Sequence, residues 1–232
     1  MTKHFQYEIE RLKKKILHLA AMVEEALQLS VRAATERNAG LAEQVISSDT
    51  RIDAFEVELE EECLKILALH QPVAADLRYI VAIFKINSDL ERIADLAVNI
   101  AERALGLATT AERSVPYDLN SMLEAAVGMV RHSVDALVRR DVATAQQVRL
   151  DDDQVDELHR SAHRAVIEKI RRSPEKGDYL VSLLSIARNL ERIADHATNI
   201  AEDVIYMVEG EIVRHSGGKS LRHHDGDTAS DG

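Results

Sequence analysis

The chain has 232 residues, a formal net charge of −11, 46% hydrophobic and 3% aromatic residues, no Trp and a single cysteine. So acidic a chain lacks the basic face that nucleic-acid backbone binding needs, and one thiol cannot close an internal disulfide. The longest uninterrupted apolar run, Tyr79 to Phe84, has six residues, far short of the ~20 a membrane span requires. Lys13-Lys14-Lys15 is followed by no clean apolar segment or cleavage site, so secretion is not expected and the cytoplasm is the expected compartment. Ala-rich, Glu/Arg-rich composition with three prolines points to helix bundles filled by aliphatic side chains.

The first helix is predicted from about Phe5 to Arg37, with Leu12, Ile16, Leu19, Val23, Ala26 and Leu27 as its apolar stripe. Asn38-Ala39-Gly40 reads as a stop and turn. A second helix runs from about Leu41 to Leu69, with Val45, Ile52, Leu59, Cys63 and Ile66 inward, and Cys63 reads as a packed thiol. Pro72 follows its end. The third helix carries Ile80, Ile83 and Leu90 and fades near Thr110. Ser114-Val115-Pro116 marks a boundary. Helices from about Leu119 to Arg139 and Val142 to Arg171 follow, then Ser173-Pro174, then a sixth helix to about Val213. The tail from His215, poor in apolar residues, is expected to be disordered.

One segment occurs twice. Asp89-Leu-Glu-Arg-Ile-Ala-Asp-Leu-Ala-Val-Asn-Ile-Ala-Glu102 returns 100 residues later as Asn189-Leu-Glu-Arg-Ile-Ala-Asp-His-Ala-Thr-Asn-Ile-Ala-Glu202. An ungapped repeat of this length means two copies of one structural unit. The expected fold is all-α: two tandem, pseudo-symmetric three-helix bundles over residues 1–113 and 114–214, joined end to end or side by side, and a tail over 215–232.

Within each copy Glu91, Asp95, Asn99 and Glu102, or Glu191, Asp195, Asn199 and Glu202, fall within a quarter-turn of a helix turning ~100° per residue. Ile80, Phe84 and Val98 share that phase, so the acids edge the core. A second row lies on the preceding helix of each half: Asp49, Asp53, Glu56 and Glu60 in the first, Asp152, Asp156, His159 and His163 in the second. If the rows face each other, converging carboxylates repel unless protonated or neutralised by a cation, and carboxylate-rich bundles hold iron, manganese, magnesium or zinc in this way. If they point apart into water, they are solvated faces with pairs to Arg92 and Arg192, and nothing needs a metal. Retention of Glu, Asp, Asn and Glu in both copies, while Lys85 drifts to Ser185 and Arg103 to Asp203, favours a site. The candidate ligands are Glu91, Asp95, Asn99, Glu191, Asp195, Asn199, Asp49, Asp53, Asp152, Asp156 and His159, and the candidate cofactor is a divalent or trivalent cation such as iron, zinc, manganese or magnesium. His196, beside Asp195 but on another angle, stays outside this set. The basic row Arg78, Lys85 and Arg92 is expected to pair with Asp89 and Asp76.

The doubled Leu-Glu-Arg-Ile-Ala-Asp at 90–95 and 190–195, with Gln71-Pro-Val-Ala-Ala-Asp-Leu-Arg78 and Asn199-Ile-Ala-Glu202, resembles the paired signature of the PhoU family of phosphate-specific transport accessory proteins over about residues 5 to 210. The resemblance implies two three-helix bundles, a homodimer, and a cytoplasmic adaptor that represses the phosphate-starvation response through the sensor histidine kinase and the transporter's ATP-binding subunit. Some members carry iron or zinc clusters on this motif, so the resemblance also implies a multinuclear metal site on Glu91/Asp95 and Glu191/Asp195. The chain departs from the family where Ala94 and Ala194 stand in place of a frequent glycine. No nucleophile–base pairing or phosphate-binding loop is visible, so no catalysis is expected. The alternative is a ferritin-like, carboxylate-bridged metal protein, but only Asp156-x-x-His159 approaches its Glu-x-x-His pairs.

Overall fold

The computed structural model describes residues 3–210. All regular structure among them is helical: α1 (Lys3–Glu36), α2 (Ala39–His70), α3 (Ala74–Ala108), α4 (Leu119–Arg139), α5 (Val142–Arg172) and α6 (Gly177–Glu209), with a single 3-10 turn at Pro174–Lys176. The sixth helix thus reaches Glu209, and the expectations for Val213 and for the tail lie outside the described residues. Every stripe residue predicted for α1 and α2, from Leu12 to Ile66, is buried. The Cys63 thiol is pushed up to about 12 by desolvation and then by the charges of Glu62 and Glu60, which leaves it inert, as expected of a packed thiol.

α1, α2 and α3 pack on one another, as do α4, α5 and α6. The two bundles lie side by side, and their most extensive contact is α3 against α6, with a lesser one between α1 and α4. Helices α2, α3, α6 and α5 therefore form one layer, with α1 and α4 beneath it. Small residues at 0–1% exposure, Ala94, Ala97, Ala101, Ala194, Ala197 and Ala201, let the two central helices approach their neighbours closely.

The turn between α1 and α2 differs from the one predicted. Arg37 is left-handed (φ 58°) and Asn38 caps α2, its Oδ1 accepting from the Leu41 N–H at 3.2 Å, so Gly40 already lies in the helix. A non-glycine residue in this region costs of order 1 kcal/mol or more. Arg37 offsets that cost by donating to the Leu107 carbonyl (2.7 Å), the Thr110 hydroxyl (3.3 Å) and the Tyr179 hydroxyl (2.7 Å). Its counterpart Arg140 is left-handed too (φ 53°). Arg37 stacks 5.2 Å from the Tyr179 ring and Arg140 stacks 5.1 Å from the Tyr79 ring. Each half thus clasps the other's tyrosine, a reciprocity that follows from the repeat.

Candidate functional site

The acidic rows face each other across two grooves of the four-helix layer, α2 against α3 and α5 against α6. Asn87 of α3 reaches Glu56 of α2 in the first of them, and the charges of one row act on the other. The Asp49 carboxyl is raised by desolvation and then by the charges of Asp53 and, from α3, Asp95. Glu91 is raised by desolvation and by Asp95, with Arg92 opposing and Glu56 and Asp53 of α2 adding. In the second groove Asp152 is pushed up to about 6 by desolvation, then by Asp195 and Asp156. The Thr198 hydroxyl, buried and without a hydrogen bond of ordinary length, works weakly the other way. Asp195 lies open to water along part of its side chain, yet desolvation, Glu191 and Asp156 raise it, with His196 and Arg192 opposing.

The rows are not alike in detail. In the first groove Arg92 lies 3.3 Å from both Glu91 Oε2 and Asp95 Oδ2. Asn87, buried at 1% exposure, donates through Nδ2 to the Glu56 carbonyl and to Glu56 Oε1, each at 3.0 Å, and fixes that acid against α3. In the second groove Arg160 lies 3.5 Å from Asp156, and Arg149 of α5 lies 3.5 Å from Glu202. Asn99 is exposed, and so is His163. Asn199 is turned towards the other bundle, donating to Asp89 Oδ1 at 3.3 Å.

The donor chemistry of both grooves suits a hard or borderline cation. Like-charged oxygens face each other part-buried, and Asp49 Oδ1 is buried with no hydrogen-bond partner among the described residues. The donors stand apart: among the described residues no three His, Cys, Asp or Glu side chains gather closely enough to hold an ion.

The contact between the bundles and the basic row differ from the reading of the sequence. His196 Nδ1 lies 2.8 Å from Asp89 Oδ1 across α3 and α6, so the residue left out of the site belongs to the contact between the bundles. Lys85 pairs with buried Asp203 of α6 at 3.2 Å, not with Asp89 or Asp76. Arg92 pairs along its own helix with Glu91 and Asp95, as the solvated-face alternative has it and not with Asp89 or Asp76, and the buried Arg78 Nε has no hydrogen-bond partner among the described residues. The available signal was the drift between copies: Asp89 against Asn189, Leu96 against His196, Lys85 against Ser185 and Arg103 against Asp203 mark where the two halves touch.

A doubled three-helix bundle with an acidic groove in each half defines a tandem-repeat helical protein. The PhoU domain model matches residues 16–104 and 119–204, and the chain belongs to the PhoU family. Among its relatives is the phosphate-specific transport system accessory protein PhoU homolog of Aquifex aeolicus, 42% identical over 208 residues, which span 90% of this chain and 94% of the relative. The crystal structure of PhoU from Pseudomonas aeruginosa superposes with a TM-score of 0.86 at 36% identity, covering 89% of this chain and all of that one. The phosphate transport system regulatory protein PhoU of Streptococcus pneumoniae gives 0.79 at 27% identity, over 90% of this chain and 99% of that one. Among the described residues no helix is long and apolar enough to cross a membrane.

Proposed function

We propose that this chain is a cytoplasmic, homodimeric adaptor of phosphate-specific transport that represses the phosphate-starvation response when phosphate is plentiful. It acts without catalysis, by contact with the transporter's ATP-binding subunit and the sensor histidine kinase. Its family membership over both halves carries this reading, because the relatives are named as accessory or regulatory proteins of phosphate transport. Those names also weigh against the ferritin-like alternative. The acidic rows are the part of the molecule suited to a cation: Asp49, Asp53, Glu91 and Asp95 in one half, Asp152, Asp156, His159, Glu191 and Asp195 in the other. A bound cation would neutralise facing carboxylates and brace each pair of helices, shaping the surface offered to a partner.

The test is phosphate-starvation reporter output in phosphate-rich medium after deletion of the gene in its host. Output is expected to rise on deletion and to fall on return of the wild-type chain. Return of the Asp95→Ala/Asp195→Ala form is expected to restore repression only in part. Output unmoved by deletion would overturn the regulatory reading.

A further inference from the structure

Of the six helices α2 is the least amphipathic, because apolar residues stand on its outer side as well as its inner one. The inner stripe, Val45, Ile52, Leu59, Cys63 and Ile66, is buried. The outer one is Thr50, Ala54, Val57, Glu61, Leu64 and Ala68, spaced alternately by four and three residues and exposed at every position. Val57 and Leu64 are 52% and 50% open to solvent. α2 forms an edge of the four-helix layer and packs only on α1 and α3, so nothing among the described residues covers this side. It lies about a quarter-turn away from the acid row Asp49, Asp53, Glu56 and Glu60.

The second half supplies an internal control. A shift of 103 residues (148 − 45 = 103) carries α2 onto α5 and keeps burial in register: Val45, Ile52, Leu59 and Cys63 fall on Val148, Val155, Ala162 and Val166, all buried. The outer positions there are Asp153, Glu157, Arg160, Arg164, Ile167 and Arg171, and all but Ile167 are charged and exposed. They pair with one another, since Glu157 lies 3.0 Å from both Arg160 and Arg164. That is an edge helix built for water. α2 holds the equivalent edge without such a ladder, and a helix with apolar stripes on two sides is a helix packed on two sides.

The spacing states what covers it. Alternation of four and three is the seam of helix against helix, and from Thr50 to Ala68 it extends about 27 Å. Thr50, Ala54 and Ala68 are small, so the incoming helix brings the large side chains and packs close. Charge gives its sign. Glu61 interrupts the seam and Asp53 and Glu60 run along one flank; on the other, Glu58 is already held by Lys15 at 2.8 Å, between Arg51 and Lys65. The partner therefore carries Lys or Arg against Glu61 and the Asp53–Glu60 flank. A second copy of this chain would meet the face with the same acids. Residues 211–232 offer only Ile212, Val213 and Leu221 as large aliphatic side chains, too few for the seam.

We infer that the outer face of α2 is the docking surface for one amphipathic helix of another protein, apolar at every third or fourth residue and basic along the side that meets Glu61, Asp53 and Glu60. The partner's place in phosphate transport rests on the adaptor reading; the face itself rests on the contrast between α2 and α5.

The experiment puts a photo-crosslinking benzoylphenylalanine in place of Val57, Leu64, Arg160 or Arg164 of the full chain, in its host in phosphate-rich medium, and sequences the joined peptides by mass spectrometry. Val57 and Leu64 should give at least fivefold more product than Arg160 and Arg164, joined to a segment of another protein with that apolar spacing and Lys or Arg beside it. Glu61→Lys should cut the yield from Leu64 at least threefold. Yields no higher than those from Arg160 and Arg164 would overturn the proposal. So would crosslinks to a second copy, to residues 211–232 of the same chain, or to a segment without basic residues. Phosphate-starvation reporter output is read in parallel for Val57→Lys/Leu64→Lys, first checked for native helicity, and should rise towards that of the deletion. Full repression by this variant where the deletion derepresses would overturn the docking surface and leave the adaptor reading in place. A deletion without effect would overturn the adaptor reading, and the crosslinked peptide alone would then decide the face.

Discussion

The two halves repeat each other closely where they pack inward and where each clasps the other's tyrosine, and differ in the polar contacts between α3 and α6. Ile80, Ile83, Ile93 and Ile100 of α3 are fully buried, as are their α6 counterparts Leu180, Leu183, Ile193 and Ile200. The Arg37–Tyr179 and Arg140–Tyr79 stacks are reciprocal. Between α3 and α6 the symmetry fails. Asp89 is held by His196 and Asn199, while its counterpart Asn189 has Leu96 and Asn99 in those places and makes no side-chain hydrogen bond. Lys85 pairs with Asp203, and the corresponding positions hold Ser185 and Arg103. Aliphatic packing survives duplication because a core needs only shape and volume, which both copies supply. A polar contact that joins different positions of the two copies can be made twice, as the arginine–tyrosine stacks are, whereas the Asp89 and Lys85 contacts place the acceptor on one copy and the donor on the other, and there the copies have diverged.

The largest test of that likeness is in the core. Ile93→Ala and Ile193→Ala should each cost about 2–5 kcal/mol, read as a shift of the urea midpoint, with the two values close. A loss confined to one half would break the equivalence. Next is the one-sided contact. Asp89→Ala leaves part-buried His196 and Asn199 without an acceptor and should cost about 1–3 kcal/mol, whereas Asn189→Ala should cost under about 0.5 kcal/mol. Equal costs in chemical denaturation would restore symmetry to the interface.

The grooves supply a smaller effect with a pH signature. Asp152 is pushed up to about 6 from an ordinary 3.8. Its protonated form is favoured by folding, so its contribution is fully present below the ordinary value and is lost as pH rises through about 6. The metal-free chain should therefore lose stability between pH 4 and 7 through this group. Asp152→Asn should raise stability at pH 7 by about 1 kcal/mol, less than the full shift implies because water still reaches the carboxyl, and should flatten the profile of thermal midpoint against pH. Asp49→Asn should act in the same direction, since Asp49 is raised by the same causes. Smallest is Arg92→Ala, which removes exposed ion pairs worth at most about 0.5 kcal/mol. A larger loss in calorimetry would mean that Arg92 braces the first groove more firmly than its exposure allows.

The number of helices, their inward faces and the presence of two acid rows in each half were legible in the sequence, because each depends on spacing within one helix or on the offset between two copies; whether those rows face each other was left open. Leu12, Val45 and Leu90 reveal their burial by phase alone. Spacing also placed Glu91 and Asp95 at the edge of a core, and the structure sets both against α2. The partner across space was not legible. Asp89 and His196 lie 107 positions apart, on helices whose order in the layer is decided by how two nearly identical bundles dock. Whether Arg92 turns to its own helix or to a neighbour is a choice among rotamers of an exposed side chain, which local periodicity does not constrain. Helical phase names the face a residue occupies, and only the packed structure decides what that face meets.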